Sequence, residues 1–112
     1  MQNRTRHTYS RITRHAVMLL GKQIRNARMA RRMTAGDLAE RAGISRGLLQ
    51  RIENGNLRCR IGSVFEVAIL VGIKLFEADE MTLAKRIRQV DDRIALLPKH
   101  THPDKKMVDD DF

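Results

Sequence analysis

Residues 34–55 read TAGDLAERAGISRGLLQRIENG, and the punctuation of that stretch decides the fold. Thr34 and Asp37 have the spacing of a capping box. A Thr oxygen accepts from the orphan amides at a helix start, and an acid three residues on answers it. Met33 and Leu38 flank the box where a hydrophobic staple sits. Ser45 can cap a second helix, with Ile44 and Leu49 as its staple. The pattern predicts two short helices meeting at Ala42-Gly43-Ile44. Gly43 can adopt the left-handed conformation that ends one helix and turns the chain sharply. Ala39 is small where the second helix must cross closely. Leu38, Ala42, Ile44, Leu49 and Ile52 then face inward, leaving Arg46, Gly47, Gln50 and Arg51 on the opposite face of the second helix.

A face with two arginines and a glycine suits a groove better than a core. In such a two-helix unit the second helix is normally the one inserted into a major groove. The charge distribution points the same way. The 112 residues carry a formal net charge of +9. Residues 1–36 contain nine Lys and Arg and no acid, so the whole excess lies in the N-terminal third. A polyanion partner is the direct reading, and nucleic acid is the commonest one. A basic solubilising arm is the plainer alternative. An anionic membrane surface lacks an aromatic-bearing amphipathic helix to support it. With no Trp, one Tyr and three Phe, binding bases by stacking is disfavoured, which counts against most RNA and single-strand readers.

The rest of the chain reads as helix from about residue 10. Ile12, Ala16, Leu20, Ile24 and Ala27 form a helical stripe, with Ser10 as a cap, Gly21 as a weak spot and an end near Arg32. Ser63 and Glu66 have capping-box spacing, and the helix expected there carries Val64, Val67, Ala68 and Val71 before stopping at Gly72. The segment from Ile73 to Phe76 is expected to close the core. A last helix is expected from about Thr82 to Leu97, ended by Pro98. Its Leu83, Ile87, Val90, Ile94 and Leu97 recur at alternating spacings of four and three, a heptad seam. Two uses fit it: packing on its own domain, or dimerisation.

The run 20–76 resembles the Xre, or Cro/CI-like, helix-turn-helix domain of bacterial and phage repressors. The carrying residues are Leu20-Gly-x-x-Ile-Arg, Met33-Thr34, Asp37-Leu-Ala-Glu-Arg-Ala-Gly, Ile44-Ser-Arg and Arg51-Ile-Glu-Asn-Gly55. The resemblance implies an all-α, five-helix domain that binds palindromic double-stranded operators as a homodimer. It places Arg46, Gly47 and Arg51 where base edges are read, with Gln50 beside them. Arg to guanine O6 and N7 is the commonest specific contact. Leu48 fits either a thymine methyl or half-buried packing. Ser45, Asn54 and Asn56 fall where phosphates are held, with Arg58 next to them. Arg28 and Glu53 match a structural ion pair. Ala35 departs from the family, which usually has Gln there to hold the DNA backbone. The clamp is therefore expected to lean on Lys22, Arg25 and the N-terminal arm. That arm, with Arg4, Arg6, His7, Arg11 and Arg14, is suited to phosphates or a minor groove, or is simply a disordered basic tail.

A second resemblance is to HipB-type antitoxins. It is carried by RIENGNLRCRIGSVFEVAILVGIKLFEAD, by Leu96-Leu97-Pro98 and by the terminus from Val108 to Phe112. It implies autorepression of a toxin–antitoxin operon and neutralisation of a HipA-like kinase. Val108 and Phe112 flank three aspartates, a pattern that can dock in a basic-rimmed apolar pocket or remain solvated. The alternative is a stand-alone phage-type or metabolic regulator with no toxin partner.

No nucleophile–base pair or phosphate-cradling Gly loop points to an enzyme. Cys59 alone makes neither a disulfide nor a zinc site, and His100, His102 and Asp104 are an incidental cluster, so no cofactor or metal is expected. No apolar run is long enough to span a membrane, and a bacterial cytoplasmic, nucleoid-associated protein is expected. The expected organisation is a basic arm over 1–16, the helix-turn-helix domain over 17–80, the heptad helix over 81–98 and a tail over 99–112.

Overall fold

The computed structural model describes residues 8–76 and 79–99. Among these residues there are five helices and no strands. They are α1 (Arg11–Ala30), α2 (Ala35–Ala42), α3 (Arg46–Glu53), α4 (Ile61–Leu70) and α5 (Glu80–Ala95). The chain divides between Leu75 and Phe76 into two compact units. The expected all-α fold is observed.

Three starts follow the capping chemistry. Ser10 Oγ accepts the Thr13 amide at 3.2 Å, and Ser45 Oγ accepts the Leu48 amide at 3.0 Å. At α2 both halves of the box are made. Asp37 N–H donates to Thr34 Oγ1 at 3.0 Å, and Thr34 N–H donates to Asp37 Oδ2 at 3.3 Å. The ends of α1 to α4 share one device, two reversed hydrogen bonds around a left-handed residue. After α2, for example, Gly43 (φ 70°) donates to Glu40 O and Ile44 donates to Ala39 O. Gly55 and Gly72 occupy the same place after α3 and α4, but Arg32, with φ 58°, does so after α1.

The first unit is built around Ile24, Leu38, Ala39, Leu49, Ile52, Val67, Ala68 and Val71, all buried. Helix α1 packs on α3, and α2 packs on both α3 and α4. Each fully buried aliphatic side chain contributes about 1.5–3 kcal/mol. The crossing of α1 over α3 is close enough to require Gly21. A Cβ there would lie 2.5 Å from the Ile52 carbonyl oxygen and 2.8 Å from that of Glu53. The residue that weakens α1 as a helix thus lets α3 approach.

Three expectations need correction. Helix α4 begins at Ile61, with Arg60 as an N-cap that makes no side-chain bond, so Ser63 and Glu66 are not its capping box. By Ser63 the helix is already under way, with Val64 N–H bonded to Arg60 O. The stripe on α1 is helical along its length, but only its second half reaches the core. Ile12 is 77 % exposed and Ala16 is exposed, because the core partners sit against the later turns. Ile73 and Leu75 do pack on the core, whereas Phe76 is exposed and falls in the second unit.

The second unit is described by α5. Its cap is Asp79, which accepts the Thr82 amide at 2.7 Å and the Thr82 hydroxyl at 3.0 Å. Thr82 is therefore the recipient of the cap rather than the start of the helix. Helix α5 buries none of its residues.

Candidate nucleic-acid interface

Helix α3 is fixed from behind. Leu49 and Ile52 are buried in the core, and Leu48 is half-buried against it, the packing alternative raised by its sequence position. Arg46, Gly47, Gln50 and Arg51 are exposed on the other side, as their helical spacing requires. Both arginines lie over a glycine. A Cβ at Gly36 on α2 would meet the Arg46 guanidinium, with Nη2 at 2.6 Å, and one at Gly47 would sit 3.6 Å from Arg51 Nη1. Gly36 therefore leaves room for the Arg46 side chain, although it weakens α2.

Glu53 ends this helix and is buried. Its carboxylate takes a bidentate pair from Arg28, with Nε to Oε2 at 2.8 Å and Nη2 to Oε1 at 3.0 Å. The third arm of the guanidinium, Nη1, donates to the Met33 carbonyl at 3.0 Å. The pair ties α1, α3 and the α1–α2 turn together. The hydrogen bonds that Arg28 donates to Glu53 raise the Arg28 pKa above its ordinary value, against the opposing effect of burial. The Glu53 carboxylate is thereby matched to an internal cation.

Lys22 and Arg25 are exposed on α1 and line a groove beside the α3 C-terminus with Asn26, Met29 and Asn54. A second cleft runs from Arg25 past Ala35 to Arg46 and Gln50. Arg25 and Asn54 line both, so α1 and the exposed face of α3 border adjoining clefts. Ala35 lies in the cleft where the longer family residue is missing. Asn26 was not singled out from sequence; its position four residues after Lys22, on the same helical face, is the signal that was available.

The remaining polar candidates have local duties. Ser45 caps α3, and its hydroxyl proton can still be donated outward. Asn56 Oδ1 accepts the Arg58 amide at 2.7 Å and so shapes the loop after α3. Asn54, Asn56 and Arg58 are all exposed. Arg11 and Arg14 lie in the first turns of α1 and are exposed, which places them on an ordered helix. Arg4, Arg6, His7, Val108 and Phe112 lie outside the described residues, as do His100, His102 and Asp104. Cys59 is half-buried against the core.

Residues 19–73 match a family model described as a helix-turn-helix domain. No curated protein and no solved structure matches the chain. The matched span runs from the second half of α1 through α4, the part of the molecule that holds the core and the arginine face. Residues 19–73 thus have the make-up of a helix-turn-helix domain. Among the described residues no helix is long and apolar enough to cross a membrane.

Proposed function

We propose that this chain is a sequence-specific double-stranded-DNA-binding transcriptional repressor, acting as a homodimer on a palindromic operator at the nucleoid of a bacterial cell. The observation that carries the reading is the outward face of α3. Arg46, Gly47, Gln50 and Arg51 stand exposed together on the helix after the sharp turn, while Leu49 and Ile52 anchor its back. In this reading Arg46 and Arg51 each address a guanine edge, and the exposed half of Leu48 lies next to them. Lys22, Arg25, Ser45, Asn54, Asn56 and Arg58 hold phosphates on either side. Arg4, Arg6, Arg11 and Arg14 extend the contact along the backbone. Phosphate contacts set position and base contacts set sequence, so the two groups have separable signatures.

The test is a selection of bound sequences from a random duplex library at one fixed salt concentration, followed by titrations on the selected operator. Arg46→Ala and Arg51→Ala are expected to lose about 1–3 kcal/mol and to relax preference at one or two positions each. Lys22→Ala and Arg25→Ala are expected to weaken all sequences alike and to flatten the salt dependence. Full discrimination by both α3 variants would remove α3 as the reading helix. As a homodimer on a palindrome, the protein should select half-sites about one helical turn apart, near 34–36 Å.

The finer reading is a HipB-type antitoxin that represses its own operon and neutralises a HipA-like kinase. It is supported by the sequence resemblance of residues 51–79 and of the chain end. Co-expression with the product of any adjacent HipA-like reading frame tests it. A stable complex that loses affinity when residues 108–112 are deleted is the expected result. The absence of such a gene beside this one would leave the stand-alone regulator.

A further inference from the structure

Helix α5 is amphipathic, and most of its apolar face is exposed among the described residues. Ile87, Val90, Ile94 and Leu97 are between 48 and 61 % exposed, and Leu83 is only half-buried. A lone helix of this length is marginal in water, since most helical stability in proteins comes from burying an apolar face. The seam is narrow, a strict alternation of four and three rather than the broad stripe of a helix lying on a globular core. Such a seam fits another helix with the same seam.

We propose that α5 pairs with α5 of a second copy as a parallel, in-register two-stranded coiled coil. The proposal rests on the homodimer reading above and adds its orientation and its pairing. Taking Leu83, Val90 and Leu97 as d positions puts Ile87 and Ile94 at a. β-Branched residues at a with Leu at d favour two parallel strands. The flanking charges choose between orientations. In a parallel pair each g residue faces the e residue five positions on in the other chain, so Arg86 faces Asp91 of the second copy, twice by symmetry. In an antiparallel pair g faces g, and the g residues of α5 are Arg86 and Arg93, both basic. Arg86 and Asp91 line one apolar groove together with Phe76, Leu83, Ile87 and Val90. The seam offers five apolar side chains per copy, well below the ~20–30 residues a side of a standard interface. The solution dimer is therefore weak and concentration-dependent, and a duplex carrying both half-sites reinforces it.

The experiment uses the full chain. Sedimentation of the wild type is expected to show a monomer–dimer equilibrium. In a Cys59→Ser background, Leu83→Cys and Ile94→Cys are each equilibrated in a glutathione redox buffer. In the parallel arrangement each variant cross-links to itself. In an antiparallel one, two copies of residue 83 would stand roughly 20 Å apart, given ~1.5 Å of rise per residue, outside disulfide reach. Arg86→Glu and Asp91→Arg alone are expected to weaken the dimer about three- to tenfold, and the double swap to restore it. Self-cross-linking of both variants with recovery in the double swap supports the proposal. A dimer in which only a mixture of the two Cys variants cross-links is antiparallel, and overturns the proposal while leaving the dimer reading intact. A dimer indifferent to every α5 change places the interface elsewhere and also overturns it. A chain that stays monomeric at all concentrations and binds duplex singly overturns the dimer reading itself.

Discussion

Helices α3 and α5 are both amphipathic, and they treat their apolar faces in opposite ways. Helix α3 has eight residues and buries three of them, Leu49, Ile52 and Glu53. Helix α5 has sixteen and buries none. The short helix is held by the residues behind it, a cap in front, a reversed turn at its end and an ion pair to α1. The long helix has a cap and its own hydrogen bonds. The first unit is thus held by a core of its own, whereas α5 contributes no buried residue among those described.

That contrast can be broken most forcefully in the core. Leu49→Ala is expected to cost about 2–5 kcal/mol of unfolding free energy in a denaturant titration. Ile87→Ala, an equal truncation on α5, is expected to leave that value nearly unchanged at concentrations where the chain is monomeric. Equal losses would mean that α5 is part of the same cooperative core. Next in size is the buried pair. Glu53→Ala leaves the Arg28 guanidinium without its carboxylate and is expected to cost about 3 kcal/mol, near the lower end for breaking a buried ion pair. Arg28→Met together with Glu53→Leu should recover part of that loss, because replacing both charges removes the unpaired one. A single change as costly as the double would show that packing, not charge, is at stake.

A smaller effect is expected at Arg32, the one non-glycine residue with positive φ among those described. Arg32→Gly relieves the left-handed strain and is expected to raise stability by up to about 1 kcal/mol, read as a higher Tm. A decrease would mean that the Arg32 side chain stabilises the α1–α2 turn. The smallest effect belongs to α5. Asp79 has its pKa lowered by the Thr82 amide and then by the Thr82 hydroxyl, so its capping is fully present above the ordinary value of 3.8. The contribution is lost as pH falls through the lower value that Asp79 has in the folded chain. Helicity at α5 should therefore fray in acid, and Asp79→Asn should make that fraying nearly independent of pH. Fraying unaffected by the substitution would move its origin to another carboxylate.

Much of the first unit was legible because its punctuation is local. Ser10, Thr34 and Ser45 cap the residues that follow them, and Gly43 turns the chain where a short-range pattern demands it. The Arg28–Glu53 pair was legible through resemblance, since nothing in a 25-residue separation announces it. The misreadings share a cause. Ser63 and Glu66 have the spacing of a cap, but spacing does not reveal that the helix had already begun at Ile61. Ile12 and Ala16 have the spacing of a core stripe, but periodicity does not tell how far along a helix its neighbours extend. Gly21 reads from the sequence as lost propensity, and Gly36 is a glycine inside the first turn of α2. Their use, admitting the Ile52 carbonyl and the Arg46 guanidinium, depends on atoms 31 and 10 positions away in the chain.

The close crossing at Gly21 has a mechanical consequence. With the α1 backbone seated against the last carbonyls of α3, and Arg28 clamped to Glu53 one or two turns on, the two helices form a caliper of fixed gape. The spacing between the backbone that carries Lys22 and Arg25 and the backbone that carries Arg46 and Arg51 is then set inside the protein. In the proposed complex, much of the adjustment that the fit requires would fall to the duplex. Base steps that the protein never touches would enter its selectivity through the stiffness they lend to the groove, so two sites with identical contacted bases can differ in affinity.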